Sequence, residues 1–199
     1  MPEATREKLD KIESLRTYSD FEEYFASKGI TLDTDLVKLK ESMRDEEIEA
    51  VKSLCQKIVT GVEAYEDTFG PEALSKLNRI ILYDESLDVK AAYHFNMIGE
   101  NDPFAGTIRF RQWDSDGREV FHELAHAFQD SHAKSNEDAV MFASRMVSEA
   151  NLSDKIQAYT GAASEVLDAE RAADAFSFAY IRGNEEAQKF LSNVRRILR

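Results

Sequence analysis

Three side chains in one short run, His122, Glu123 and His126, have the types and spacing to do chemistry together. Residues four apart on a helix lie on one face, so in a helical setting both imidazoles can reach one metal ion. Glu123, one position after the first histidine, falls near the same face and can take a proton from a metal-bound water. With four His among 199 residues, a chance H-E-x-x-H match somewhere in the chain has a probability on the order of 1%. The bland alternative is two histidines that merely happen to be four apart.

A catalytic zinc takes three protein ligands and leaves a fourth position for water. Two candidates for the third ligand follow. His132 lies six residues after His126, the spacing of H-E-x-x-H-x-x-G-x-x-H, but Gln129 stands at the turning glycine. If the helix runs on through Gln129, His132 points away. The other candidate is Glu170, with Asp174 four residues on and so on the same helical face. Glu170 could bind metal while Asp174 accepts a hydrogen bond from the free ring nitrogen of a ligand histidine. Its bland reading is a charged stripe on an amphipathic helix.

These residues need a helix held against a sheet. Val120, Phe121, Leu124, Ala125 and Phe128 supply an apolar face, and Asp116 is a plausible cap. Strands are expected at residues 79–83, 91–98 and 106–112, the last half-exposed because Ile108 and Phe110 alternate with Thr107, Arg109 and Arg111. From Asp116 to the end the chain reads as helical, with breaks near Ser135, Asn151–Asp154, Gly161 and Gly183-Asn184. Residues 3–77 also read as helical. Ile48, Val51, Leu54, Cys55, Ile58 and Val59 carry the clearest period, which ends at Gly70-Pro71; Pro71 can begin a short helix through Leu77. Helices, a small sheet, then helices make an α+β arrangement. It divides into a helical N-terminal region, 1–77, and a site-bearing part, 78–199, together one compact unit.

The run His122–His126, followed by Glu170-Arg171-Ala172-Ala173-Asp174, resembles the gluzincin branch of the zincin metallopeptidases. It is most similar to the single-domain ImmA/IrrE-type peptidases and to compact bacterial effector metalloproteases, over residues about 79–182. The resemblance implies Zn2+ held by His122, His126 and Glu170, with Glu123 as general base in peptide-bond hydrolysis and Asp174 supporting a ligand histidine. It implies a protein or peptide substrate laid against an edge strand, for which Gly106–Gln112 is the expected segment; Arg109 and Arg111 there could favour acidic substrate positions, or simply be solvated. Tyr180, Tyr159, His132 and Arg171 are candidate donors to the oxyanion, with Tyr180 carried as the catalytic choice. Two other readings stay open: a non-catalytic, zincin-like acidic binding protein, and a zinc hydrolase of a non-peptide amide.

Composition narrows the partners. With 25 Lys+Arg against 38 Asp+Glu the net charge is −13, which argues against nucleic acid or an anionic membrane as a general partner. The lone Cys55 excludes an intrachain disulfide and reads as a buried thiol. No apolar run is long enough to span a membrane and no signal-peptide pattern opens the chain, so a cytoplasmic location or export by a leaderless route is expected. His94 reads as a strand-surface histidine, Trp113 as rim or core packing, and Met141 and Met146 as helical core.

Overall fold

The computed structural model describes residues 14–33, 44–96, 101–112, 115–133, 142–146 and 168–199. Its elements, in chain order, are α1 (Tyr18–Ser27), β1 (Thr31–Asp33), α2 (Asp45–Phe69), β2 (Arg79–Ile81), β3 (Ala91–His94), β4 (Thr107–Phe110), α3 (Gly117–His132), α4 (Asp168–Arg182) and α5 (Glu185–Ile197). The fold is α+β, with helices around a small mixed sheet. None of the described helices is long and apolar enough to cross a membrane.

Local chemistry sets the helix ends. Thr17 and Asp20 cap α1 reciprocally: the Asp20 N–H donates to Thr17 Oγ1 at 3.2 Å and the Thr17 N–H to Asp20 Oδ2 at 2.7 Å. Asp116 and Glu119 do the same for α3, at 3.1 and 2.9 Å. Gly70, at φ 99°, ends α2, and Pro71 follows it. The following residues 71–76 form turns rather than the short helix expected there.

The sheet order is β1-β2-β4-β3, with β1, β2 and β4 parallel and β3 antiparallel to β4. Leu32, Ile80, Ile108 and Tyr93 align in one row across the strands, all buried within the core. The row Asp33, Ile81, Arg109 and Ala92 has the opposite facing. Behind the apolar row, Tyr65 of α2 packs among Phe69, Phe128, Phe176 and Tyr180, and its hydroxyl donates to the Phe121 carbonyl at 3.1 Å. A Cβ on Gly61 would lie 2.4 Å from Leu124 Cδ1, so α2 and α3 meet closely at that glycine.

Two expectations are corrected here. Thr31–Asp33 is a strand, so the N-terminal region is not purely helical; it contributes β1 to the same sheet. Three residues are too few to leave a readable period. Nor is β4 a half-exposed edge. It lies between β2 and β3, and Thr107, Ile108, Arg109 and Phe110 are all buried. Period-two alternation reports two faces, but not whether loops cover the polar one. Here Arg109 bonds Asp84 of the β2–β3 connection at 2.8 Å and is not presented to a substrate, whereas Arg111 is exposed. Cys55 is buried as expected, and burial pushes its thiol up to about 12. Met146 is buried in the helical residues 142–146; Met141 and Trp113 lie outside the described residues.

Gly106 starts β4 at φ 74°, and a Cβ there would meet the Lys76 carbonyl oxygen at 2.6 Å. Gly106→Ala should therefore destabilise the protein by about 2 kcal/mol or more in urea unfolding. Gly117→Ala, with open space at its Cβ, should change stability by no more than about 0.5 kcal/mol.

Candidate metal centre

Helices α3 and α4 run antiparallel and are tied at both ends. Ser177 Oγ donates to the Arg118 carbonyl at 2.8 Å, and Gln129 Nε2 to the Ala169 carbonyl at 3.0 Å. Ala125 of α3 and Ala172 and Ala173 of α4 are fully buried. This apposition brings Glu170 of α4 onto the two histidines of α3. Glu170 Oε2 is 3.0 Å from His122 Nε2, Oε1 is 3.2 Å from His126 Nε2, and the two Nε2 atoms are 3.1 Å apart. His122, His126 and Glu170 are the one group able to hold a metal among the described residues, with ligand atoms all within 4.8 Å of one another. Tetrahedral zinc with bonds of about 2.0–2.1 Å sets neighbouring ligands about 3.3 Å apart. The observed spacings are close to that.

Hydrogen-bond accounting makes the fit more specific. The Asp174 carboxylate only accepts, and it lies 3.0 Å from His122 Nδ1, so that nitrogen donates. Gln129 spends its amide N–H on Ala169 and turns Oε1 to His126 Nδ1 at 3.1 Å, so that nitrogen donates too. Both Nε2 atoms of the neutral rings are then acceptors, facing each other and a carboxylate. Leaving such a buried acceptor without a partner costs roughly 1–3 kcal/mol. A cation among the three atoms removes the conflict. Without a metal, a proton takes that place: burial opposes charge on His122, but Asp174 and Glu170 outweigh it and push the ring up to about 10. With that proton in place, the imidazoles of His122 and His126 beside it hold the Glu170 carboxyl far below its ordinary range.

Glu123 is buried beside this group. Burial raises its carboxyl above the ordinary value, partly countered by the neighbouring imidazoles and a hydrogen bond from the Tyr93 backbone in β3. A carboxyl so placed holds a proton more readily than an exposed one. A cleft of about 420 Å³ opens here, lined by Lys90 and Ala91 of the edge strand side, Asp116, Arg118, Glu119, His122 and Glu123 around α3, and Asp174 of α4. Its volume suits a small ligand or a side chain. Glu170, whose side chain is 47% exposed, leaves the centre open on one flank.

Tyr180 and His132 are not brought to the centre. Tyr180 faces α2: its hydroxyl donates to the Ala64 carbonyl at 3.4 Å and its ring stacks on Phe121. Tyr180 lies six residues after Asp174, which puts it on the other side of α4. For His132, α3 continues through Gln129 without a turn, and the ring packs against Phe128 and Phe142. Arg171 does not line the cleft, and Tyr159 lies outside the described residues. His94 hydrogen-bonds Asp102 and Arg109 rather than standing in solvent.

Two contributors went unread in the sequence. Gln129, seen only as the occupant of a glycine position, orients His126. Buried Asp130 accepts from the Tyr93 hydroxyl at 2.7 Å and from the Asn96 backbone N–H and side-chain amide at 3.0 and 2.8 Å, locking α3 to the end of β3. The available signal was position: both lie within one turn of His126.

No family model matches the chain, and neither does any curated protein or solved structure.

Equilibrium titration with zinc should give one ion per chain. His122→Ala, His126→Ala and Glu170→Ala should each lose it, and Gln129→Ala should weaken affinity by about 10–100-fold. His132→Ala should leave affinity unchanged.

Proposed function

We propose that the protein is a zinc-dependent peptidase of gluzincin type. The observation that carries this reading is the joint placement of three ligand atoms and a buried carboxylate, Glu123, on the α3–α4 pair beside an open sheet edge. The donor set, two imidazoles and a carboxylate, suits zinc with one position free. When bound there, zinc supplies a Lewis acid that polarises a carbonyl and makes water more acidic.

The chain's own residues do the rest. His122, His126 and Glu170 hold the ion, with Asp174 and Gln129 fixing the orientation of the two rings. Glu123 takes the proton from the attacking water and returns it to the leaving amine; its burial, which favours the neutral carboxyl, suits the return step. The substrate-bearing edge is β3, not β4. Lys90 and His94 carbonyls accept from Arg111 and Gly106 across the β4 side, so by alternation the backbones of Ala91 and Tyr93 turn away from β4, where the Tyr93 N–H meets Glu123 and the Ala91 backbone faces the cleft. An extended peptide can add there as a further strand, with its scissile bond over Glu123.

In a screen of quenched fluorescent peptides, the zinc-loaded protein should cleave some of them. Glu123→Gln should retain zinc and lose about 10²–10⁴-fold in kcat. Activity of Glu123→Gln near that of the unmodified protein contradicts the assigned base, and hydrolysis of non-peptide amides alone contradicts the substrate class. Tyr180→Phe should leave kcat/KM unchanged while costing up to about 1 kcal/mol of stability.

A further inference from the structure

The face of the sheet turned away from the metal centre carries a buried arginine that the reaction does not use. Arg109 is only 8% exposed and is central to β4. Its Nε donates to Asp84 Oδ2 at 2.8 Å, and Nη2 donates to Ser86 Oγ at 2.9 Å. Its Nη1 lies 3.2 Å from His94 Nε2, and the guanidinium sits 4.2 Å from the centroid of the Phe104 ring. Arginine has no acceptor, so His94 Nε2 accepts and Nδ1 donates to Asp102 Oδ2, 3.2 Å away. Asp102 in turn accepts from the Phe104 backbone N–H at 2.8 Å.

These partners are not scattered. Asp84 and Ser86 belong to the connection entering β3, His94 is the last residue of β3, and Asp102 and Phe104 belong to the connection leaving it. One side chain therefore fastens both flanks and the end of a four-residue strand that has a strand neighbour on one side only. An edge strand so short has few ladder bonds and frays readily. Yet Tyr93 of that strand hydrogen-bonds Glu123, and Ala91 lines the cleft. A leucine would fill the volume of Arg109 but would reach none of the polar partners, and Asp84 would be left without its cation.

We propose that Arg109 is a positioning residue: acting from behind the sheet, it holds β3 in register so that Tyr93 stays on Glu123 and the edge at Ala91 can receive an extended peptide. The substrate part of this inference rests on the peptidase reading; the clasp on β3 does not. Arg109 touches neither the peptide nor the metal ligands. Its loss should move substrate binding and leave the centre intact.

The test compares Arg109→Lys, which keeps the charge but not the fork, with Ser86→Ala, which removes one arm and is the gentler change. Hydrogen exchange of the zinc-loaded full chain is read at the amides of Ala92 and His94, which by the same alternation face β4, with α2 amides as the control for global unfolding. Both variants should speed exchange in 91–94 and leave α2 and zinc affinity unchanged. With a cleaved peptide, Arg109→Lys should raise KM roughly tenfold, the weight of about one charge-assisted hydrogen bond, with a smaller fall in kcat because the Tyr93 backbone also holds Glu123. Ser86→Ala should give a smaller effect in the same direction. Exchange in β3 no faster than in the unmodified protein overturns the clasp, as does uniform acceleration across α2 in both variants. Faster β3 exchange with KM unchanged overturns the link to substrate. If the unmodified protein cleaves no peptide, the peptidase reading fails, and the exchange measurement still decides the clasp.

Discussion

The centre of this molecule is an electrostatic conflict among three acceptors, which a cation would relieve. His122 and His126 each commit Nδ1 to an acceptor, and their Nε2 lone pairs face one another at 3.1 Å with the Glu170 carboxylate against both. Three acceptors in a space of that size are not a stable arrangement alone. A proton answers the conflict in part, as the upward displacement of His122 shows. A divalent ion would satisfy all three, because it can accept electron pairs from all three atoms at once.

Much of the remaining fold serves to hold those atoms together. Glu170 arrives because α4 lies antiparallel to α3, with Ser177 and Gln129 tying the pair at opposite ends. The α3 helix is fixed at its start by the Asp116–Glu119 box, along one side by the close approach at Gly61, and near its end by Asp130 bonding the edge of β3. Gln129 serves two purposes, joining the helices and setting the ring of His126. The sheet contributes the Tyr93 backbone to Glu123, so the proposed base is oriented by a strand and the proposed ligands by helices. The candidate ligands, the proposed base and the β3 edge thus have separate supports that meet at one cleft.

The α+β class and the pairing of His122 with His126 were legible because they rest on local periodicity and on a four-residue spacing. Glu170 and Asp174 were legible as a pair on one helical face, although their arrival at the histidines depends on how α3 and α4 pack. What was not legible was tertiary. Alternation in residues 106–112 gives two faces, and nothing local reveals that Asp84 and Ser86 cover the second one around Arg109. The edge was therefore assigned to β4 when it belongs to β3. The β1 strand is too short to carry a period, and its partner β2 lies far along the sequence. Tyr180 was one of four candidate oxyanion donors that nothing local distinguishes, and helical geometry turns it into the Tyr65 and Phe121 cluster.

X-ray absorption at the zinc edge, on protein loaded with one equivalent of the metal, tests the central claim most directly. The account predicts only nitrogen and oxygen neighbours, at about 2.0–2.1 Å, with the outer-shell pattern of two imidazole rings. It predicts no sulfur, since Cys55 is buried elsewhere in the core. A six-coordinate, all-oxygen spectrum without imidazole scattering would contradict it.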